Sequence, residues 1–139
     1  KRPAELGPLD VIAGGLTAIG AEDEVAGYRD FARSMVALYV GGMGARDRNF
    51  YNQLFQRYGY EAEAKEIQDL YLDGKKAEAA AAVPASFLAE TSLCGDEGYV
   101  KERIDQYKAA GVTVLSVAPI AGDLAGQQAI ISKLKELSA

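Results

Sequence analysis

Val112-Thr113-Val114-Leu115-Ser116-Val117-Ala118 is a nearly unbroken run of apolar and β-branched residues, the pattern of a parallel strand covered on both faces. Before it, Asp96 suits the N-cap of a helix whose apolar positions Val100, Ile104 and Tyr107 recur at helical spacing and which Gly111 closes. Behind it, Asp123 opens a last helix with Ile130, Ile131, Leu134 and Leu137 as its inner face. One step further back, Thr91-Ser92-Leu93-Cys94 reads as a short strand that turns at Gly95. Strand, helix, strand and helix thus follow one another, and strands joined through helices are parallel.

The same alternation starts near the beginning of the chain. Leu9-Asp10-Val11-Ile12-Ala13 is apolar and β-branched, opens into Gly14-Gly15, and continues through Leu16 to Ile19, which predicts another strand. Glu22-Asp23-Glu24 place negative charge at a helix start, and Val25, Tyr28, Ala32, Met35, Val36 and Tyr39 form one buried face of a long helix over about residues 23–40. Gly41-Gly42-Met43-Gly44 ends it. Residues 49–88 then interrupt the alternation as a helical insertion. Asn49 caps an aromatic-rich helix carrying Phe50, Tyr51, Leu54, Phe55 and Tyr58 up to Gly59. A further helix spans Glu61 to Leu72, and the alanine-rich run from Lys75 to Val83 favours helix until Pro84.

With 139 residues, 49% of them apolar, the chain has material for a single core. Its 15 basic and 20 acidic residues give a net charge of -5, which excludes the basic stripe of a nucleic-acid binder. No run reaches the length of a membrane span, and the start lacks the apolar core of a secretory signal, so the chain reads as soluble and cytoplasmic. A lone cysteine, Cys94, and the lack of histidine exclude an intramolecular disulfide, triads built on imidazole, and the usual zinc sites. Three parallel strands leave two apolar sheet edges without neighbours. The expectation is therefore a single C-terminal fragment, residues 1–139, of a larger α/β domain that pairs with copies of itself through those edges.

Three segments carry a resemblance: Tyr39-Val40-Gly41-Gly42-Met43-Gly44 followed by Asn49-Phe50-Tyr51-Asn52; Glu66-Ile67-Gln68-Asp69-Leu70-Tyr71-Leu72-Asp73-Gly74 with Ala79 to Pro84; and Ala110-Gly111-Val112-Thr113. Together they resemble the C-terminal half of the luciferase-like monooxygenase superfamily, and within it the actinobacterial oxidoreductases that use the deazaflavin coenzyme F420. The resemblance implies a partial (β/α) TIM barrel, with Leu9–Ala13, Thr91–Cys94 and Val112–Ala118 as the sixth, seventh and eighth strands. It also implies a parent enzyme moving a hydride between F420, or alternatively FMN, and a small organic substrate. Relatives often carry Gly-Thr-Pro-Glu after the seventh strand, where this chain has Gly95-Asp96-Glu97-Gly98. Because much of the coenzyme's phosphate grip comes from earlier strands in that family, the fragment alone is expected to be inactive and to bind coenzyme weakly or not at all.

Barrel chemistry sits at the C-terminal ends of strands. This makes Gly14, Gly15 and Thr17 the candidate coenzyme contacts, against the plainer reading of a strand bulge that needs glycine. No catalytic residue and no metal ligand is assigned. Arg46 and Arg48 suit an anionic tail or a solvated loop, and Phe50, Tyr51, Phe55 and Tyr58 a substrate wall or a helical core. Gly41–Gly44 reads as a helix stop, Cys94 as a buried inert thiol, and Pro119, Gly122 and Asp123 as a strand-end loop with a helix cap. A second class of function remains open: a stand-alone interaction module using the helical insertion as its partner surface.

Overall fold

The computed structural model describes residues 3–139. After a short 3-10 turn at Ala4–Leu6 the elements run β1 (Ile12–Ile19), α1 (Glu22–Asp30), α2 (Arg33–Ala37), a π-helical turn (Leu38–Gly42), α3 (Phe50–Arg57), α4 (Glu61–Leu72), α5 (Lys76–Ala81), α6 (Ala85–Glu90), β2 (Leu93–Gly95), α7 (Glu97–Ala109), β3 (Val114–Pro119) and α8 (Leu124–Ser138). The chain divides into two compact units, Ala26–Thr91 and the residues up to Val25 together with Ser92–Ala139. The expected insertion over residues 49–88 lies inside the first.

The sheet unit holds three parallel strands in the order β2-β1-β3. This is the α/β arrangement the sequence predicts, an open parallel sheet with helical crossovers as in part of a (β/α) barrel. Strand order is where it departs from a closed barrel, in which consecutive strands are neighbours and β2 would stand between β1 and β3. The lengths supply a reason. β2 has three residues and pairs with Thr17, Ala18 and Ile19, whereas β3 pairs along β1 from Ile12 to Thr17. Placing the eight-residue β1 in the centre bonds more backbone groups than a centre of three residues would.

Alternation along the strands separates two faces. Ile19, Leu115 and Val117 pack with Val100 and Ile104 of α7 and Ile130 and Leu134 of α8. On the opposite face Ile12 is 65% and its register partner Val114 41% exposed, and Ser116 and Ala118 are also exposed. The expectation that Val112–Ala118 is covered on both faces is therefore wrong. No residue of β3 is fully buried, because α7 and α8 both pack on the Leu115–Val117 side. An apolar run records what a strand is suited to contact, and among the described residues one of its faces stays exposed at Val114, Ser116 and Ala118.

The helical unit is closed around Ala37, Val40, Phe55, Ala64, Ile67, Ala79, Val83 and Leu88. α4 follows from its sequence: Ala64, Ile67 and Gln68 recur on one buried side, with acidic Glu61 and Glu63 in the first turn. The single long helix expected over residues 23–40 is instead divided at Phe31-Ala32 and ends in the π turn. Arg33 marks the division, paired with Asp30 at 2.6 Å and donating to the carbonyl of Val83. Gly41 and Gly42 lie against Tyr71, where a Cβ on either would run into the ring.

Candidate functional site

Two places collect the residues singled out in the sequence, one in each unit. In the sheet unit Thr17, Cys94, Pro119 and Asp123 lie toward the C-terminal ends of the strands, whereas Gly14 and Gly15 lie in the first half of β1, away from the end where they were expected. There Gly20 N–H donates to the Gly95 carbonyl at 3.1 Å and Ile120 N–H to the Thr17 carbonyl at 2.9 Å, so the strand ends are tied together. Gly14, Gly15 and Thr17 all lie within β1, and alternation divides them. Gly15 and Thr17 share the side of Ile19, which faces the helices, whereas Gly14 is on the open side. Thr17 is fully buried and its hydroxyl donates to the Gly15 carbonyl at 3.0 Å. Gly14 has φ +143°, and a Cβ there would run into the carbonyl of Ser116 on β3. Close approach of two strands is thus sufficient cause for glycine at this position.

The helix starts at these strand ends are acidic and already capped. Asp96 Oδ1 accepts from Tyr99 N–H at 2.7 Å, Asp123 Oδ1 from Gly126 N–H at 2.8 Å, and Glu24 Oε2 from Ala21 N–H at 3.1 Å. Free helix N-termini attract phosphate because their amides point outward at the positive end of the dipole. Here carboxylates occupy those amides, and Glu22, Asp23 and Glu97 add further negative charge. Glu97 is partly balanced by Lys133 at 3.4 Å, whose pKa is raised by hydrogen bonds to Glu136 and Glu97. These three helix starts are therefore disfavoured as places for an anionic group. Among the described residues, no group of three or more His, Cys, Asp or Glu could hold a metal ion, and no helix is long and apolar enough to cross a membrane.

The helical unit carries a second constellation, built around the π turn. A π turn displaces carbonyls from the ordinary helical ladder, and such turns recur at functional sites. Two buried amides take up these carbonyls. Asn49 Nδ2 donates to Tyr39 O at 3.0 Å and Val40 O at 2.9 Å, and Asn52 Nδ2 donates to Val40 O at 3.1 Å and Ala64 O at 2.8 Å. Asn49 also caps α3 by accepting from Asn52 N–H at 3.1 Å, and Gln56 Nε2 donates to Asn52 Oδ1 at 2.7 Å. The cap role of Asn49 is legible in the sequence. Asn52 and Gln56 escaped it, because an amide inside a helix ordinarily reads as solvated; the one available signal is Asn52 standing a turn after Asn49 on an apolar helix.

Other expectations find definite places. One member of the aromatic stripe is core: Phe55 is buried, whereas Phe50, Tyr51 and Tyr58 are exposed. Tyr39 and Tyr51 meet edge to face with ring centres 4.6 Å apart, and Phe55 and Phe87 are 4.5 Å apart. Arg46 is paired with Asp69, which Lys65 also bonds, and these two cations lower the Asp69 pKa, Lys65 contributing most. Arg48 is 86% exposed, 3.8 Å from Asp47. Cys94 is buried in β2 and forms no disulfide, Pro119 ends β3, and Asp123 caps α8. Gly41 and Gly42 lie within the π turn rather than beyond a helix stop.

Comparison with known proteins gives two findings. The luciferase-like monooxygenase family matches residues 1–114. A protein of Mycobacterium tuberculosis named "Putative coenzyme F420-dependent oxidoreductase Rv3520c" is 35% identical over 85 residues, 61% of this chain and 24% of the relative. The chain thus spans about a quarter of the length of that relative. No solved structure matches.

Proposed function

Because the chain belongs to the luciferase-like monooxygenase family, a family that includes oxidoreductases, we propose that it supplies part of the barrel of an enzyme moving a hydride between coenzyme F420, or alternatively FMN, and a small organic substrate. The bound ring would carry the hydride. The role of this chain would be to provide three parallel strands, with Gly14 on the open sheet face beside Ser116, and to close the opposite face against water with α7 and α8. Gly15 and Thr17, turned toward those helices, would shape the strand behind the ring.

The observation that carries this reading is the sheet itself: parallel, helix-covered on one face and bare on the other at β3 and the start of β1. That is the condition of barrel strands whose interior partners lie elsewhere. The acidic, self-capped helix starts support a further point, that the phosphate grip comes from residues outside this chain and the chain alone is inactive. The open edge of β3, which has no charged residue, would then be covered by another strand, and for the isolated chain by a second copy, giving a homo-oligomer.

Titration of the purified chain with F420 and with FMN, followed by absorbance and fluorescence of the coenzyme, tests the assignment. The expected result is no saturable binding in the micromolar range and no turnover. Saturable micromolar binding would show that the coenzyme site is complete within these residues and would defeat the division of labour proposed. Light scattering tests the edge: a stable monomer at dilute concentration contradicts the pairing of copies.

A further inference from the structure

We infer that the helical unit binds a single small, uncharged aromatic ring in a pocket beside its π turn. The pocket lies between α2, the π turn and α3, with walls that include Met35, Tyr39, Tyr51, Leu54, Tyr58 and Phe87. Its room is about 160 Å³, and a dry apolar cavity of roughly 150 Å³ is enough to take benzene. The groove is open to solvent on one side, and its covered part has room for one ring. The lining is almost wholly apolar, so a charged group entering would lose its water without gaining a partner.

The five rings in the lining favour an aromatic occupant. Tyr39 and Tyr51 are already edge to face, with an interplanar angle of 81°, and Phe55 and Phe87 are tilted at 56°. A further ring would extend this packing, which favours edge-to-face and offset contacts beyond the gain from burial alone. The rim is also unfinished. Met35 is 57% and Tyr58 59% exposed, apolar surface that a bound ring would cover.

The site is held in shape before any ligand arrives. Tyr39 and Val40, both on its wall, have their carbonyls fixed by Asn49 and Asn52, which are 1% and 4% exposed. Burying two amides is costly unless they are bonded, and their bonds fix the backbone that presents the wall. Pressure of Gly41 and Gly42 against Tyr71 holds the other side of the turn. This inference stands on the helical unit alone and does not rest on the redox reading, so either can fail without the other.

Fluorobenzene, followed by fluorine NMR, is a suitable probe for the whole chain. The inference expects saturable binding, competition by phenol and toluene, and affinity about ten-fold lower for cyclohexane. Leu54→Trp fills the pocket and is expected to abolish binding while the circular dichroism spectrum stays folded. If that variant fails to fold, Tyr58→Ala serves instead: its side chain is mostly exposed, and its loss is expected to weaken binding about ten-fold without lowering the unfolding midpoint. No saturation up to the solubility of fluorobenzene overturns the inference, as does equal binding by the wild type and a folded variant. An oligomer that Tyr58→Ala returns to monomer in light scattering also overturns it, since the patch would then be an interface between copies.

Discussion

In the helical unit, eight core side chains are no more than 3% exposed; in the sheet unit, no residue of β3 is fully buried. Both units are built from similarly apolar sequence, so composition does not explain the contrast. Helices bond their own backbone groups and need only a neighbour for one face, and the helical unit finds such neighbours within a few dozen residues. A strand must borrow its backbone partners from elsewhere. β1 finds its own at Leu93–Gly95 and at Val114–Pro119, and the described residues form no fourth strand. A local architecture can be finished by a short stretch of chain, whereas a parallel sheet depends on how many strands are present.

The sharpest way to break this contrast is a large-to-small change in the helical core. Ile67 is 0% exposed, and Ile67→Ala is expected to cost about 3 kcal/mol through lost burial and a cavity. Urea unfolding followed by tyrosine fluorescence reads it directly, since six of the eight tyrosines lie within Ala26–Thr91. Next in size is Gly14→Ala. At φ +143° and with the Ser116 carbonyl in the way, alanine is expected to cost about 2 kcal/mol and to loosen β3 from β1. Faster amide exchange over residues 114–119, with α4 unchanged, is the signature; unchanged exchange in β3 would mean the strands do not need their close approach. Val114→Ala, at a site 41% exposed, is expected to cost less than about 1 kcal/mol. A cost rivalling that of Ile67→Ala would show that the bare face is covered in solution.

The smallest expected effects separate the units by pH. Asp69 has its pKa lowered from 3.8 by Lys65 and Arg46, so its contribution is present above that value and is lost as pH falls through the lower folded one. Lys133 has its pKa raised from 10.5 by Glu136 and Glu97. Its contribution is present below that value and is lost as pH rises through the higher folded one. The helical unit's ion cluster thus weakens in acid and the sheet unit's in alkali, and because both groups are exposed the effects are modest. Asp69→Asn is expected to flatten the acid limb of unfolding curves read by tyrosine fluorescence while leaving the alkaline limb unchanged.

Much of this architecture can be read from residues. Asn49, Asp96 and Asp123 are caps in the sequence and in the structure, and α4 runs from Glu61 to Leu72 as its periodicity predicts. What escaped reading depends on contacts far along the chain. The division at Phe31-Ala32 involves the Val83 carbonyl, which Arg33 reaches across fifty residues of sequence. The π turn depends on Asn52, Asn49 and Tyr71. β3 reads as doubly covered because apolar content reports what a face can bury and carries no record of whether a cover exists. Of the candidate coenzyme contacts, residue type pointed to Gly14, Gly15 and Thr17 alike; alternation along a strand that the sequence already carries through both glycines puts them on different faces.

Native-state hydrogen exchange on the isolated chain compares the two units most directly. The account predicts that amides of α4 around Ile67 exchange only through global opening of the helical unit, whereas those of β3 that lack a partner strand exchange within minutes at neutral pH. Slow exchange throughout β3 in a chain shown to be monomeric would mean that the sheet is closed by its own residues, and would contradict the claim that its partners lie outside this chain.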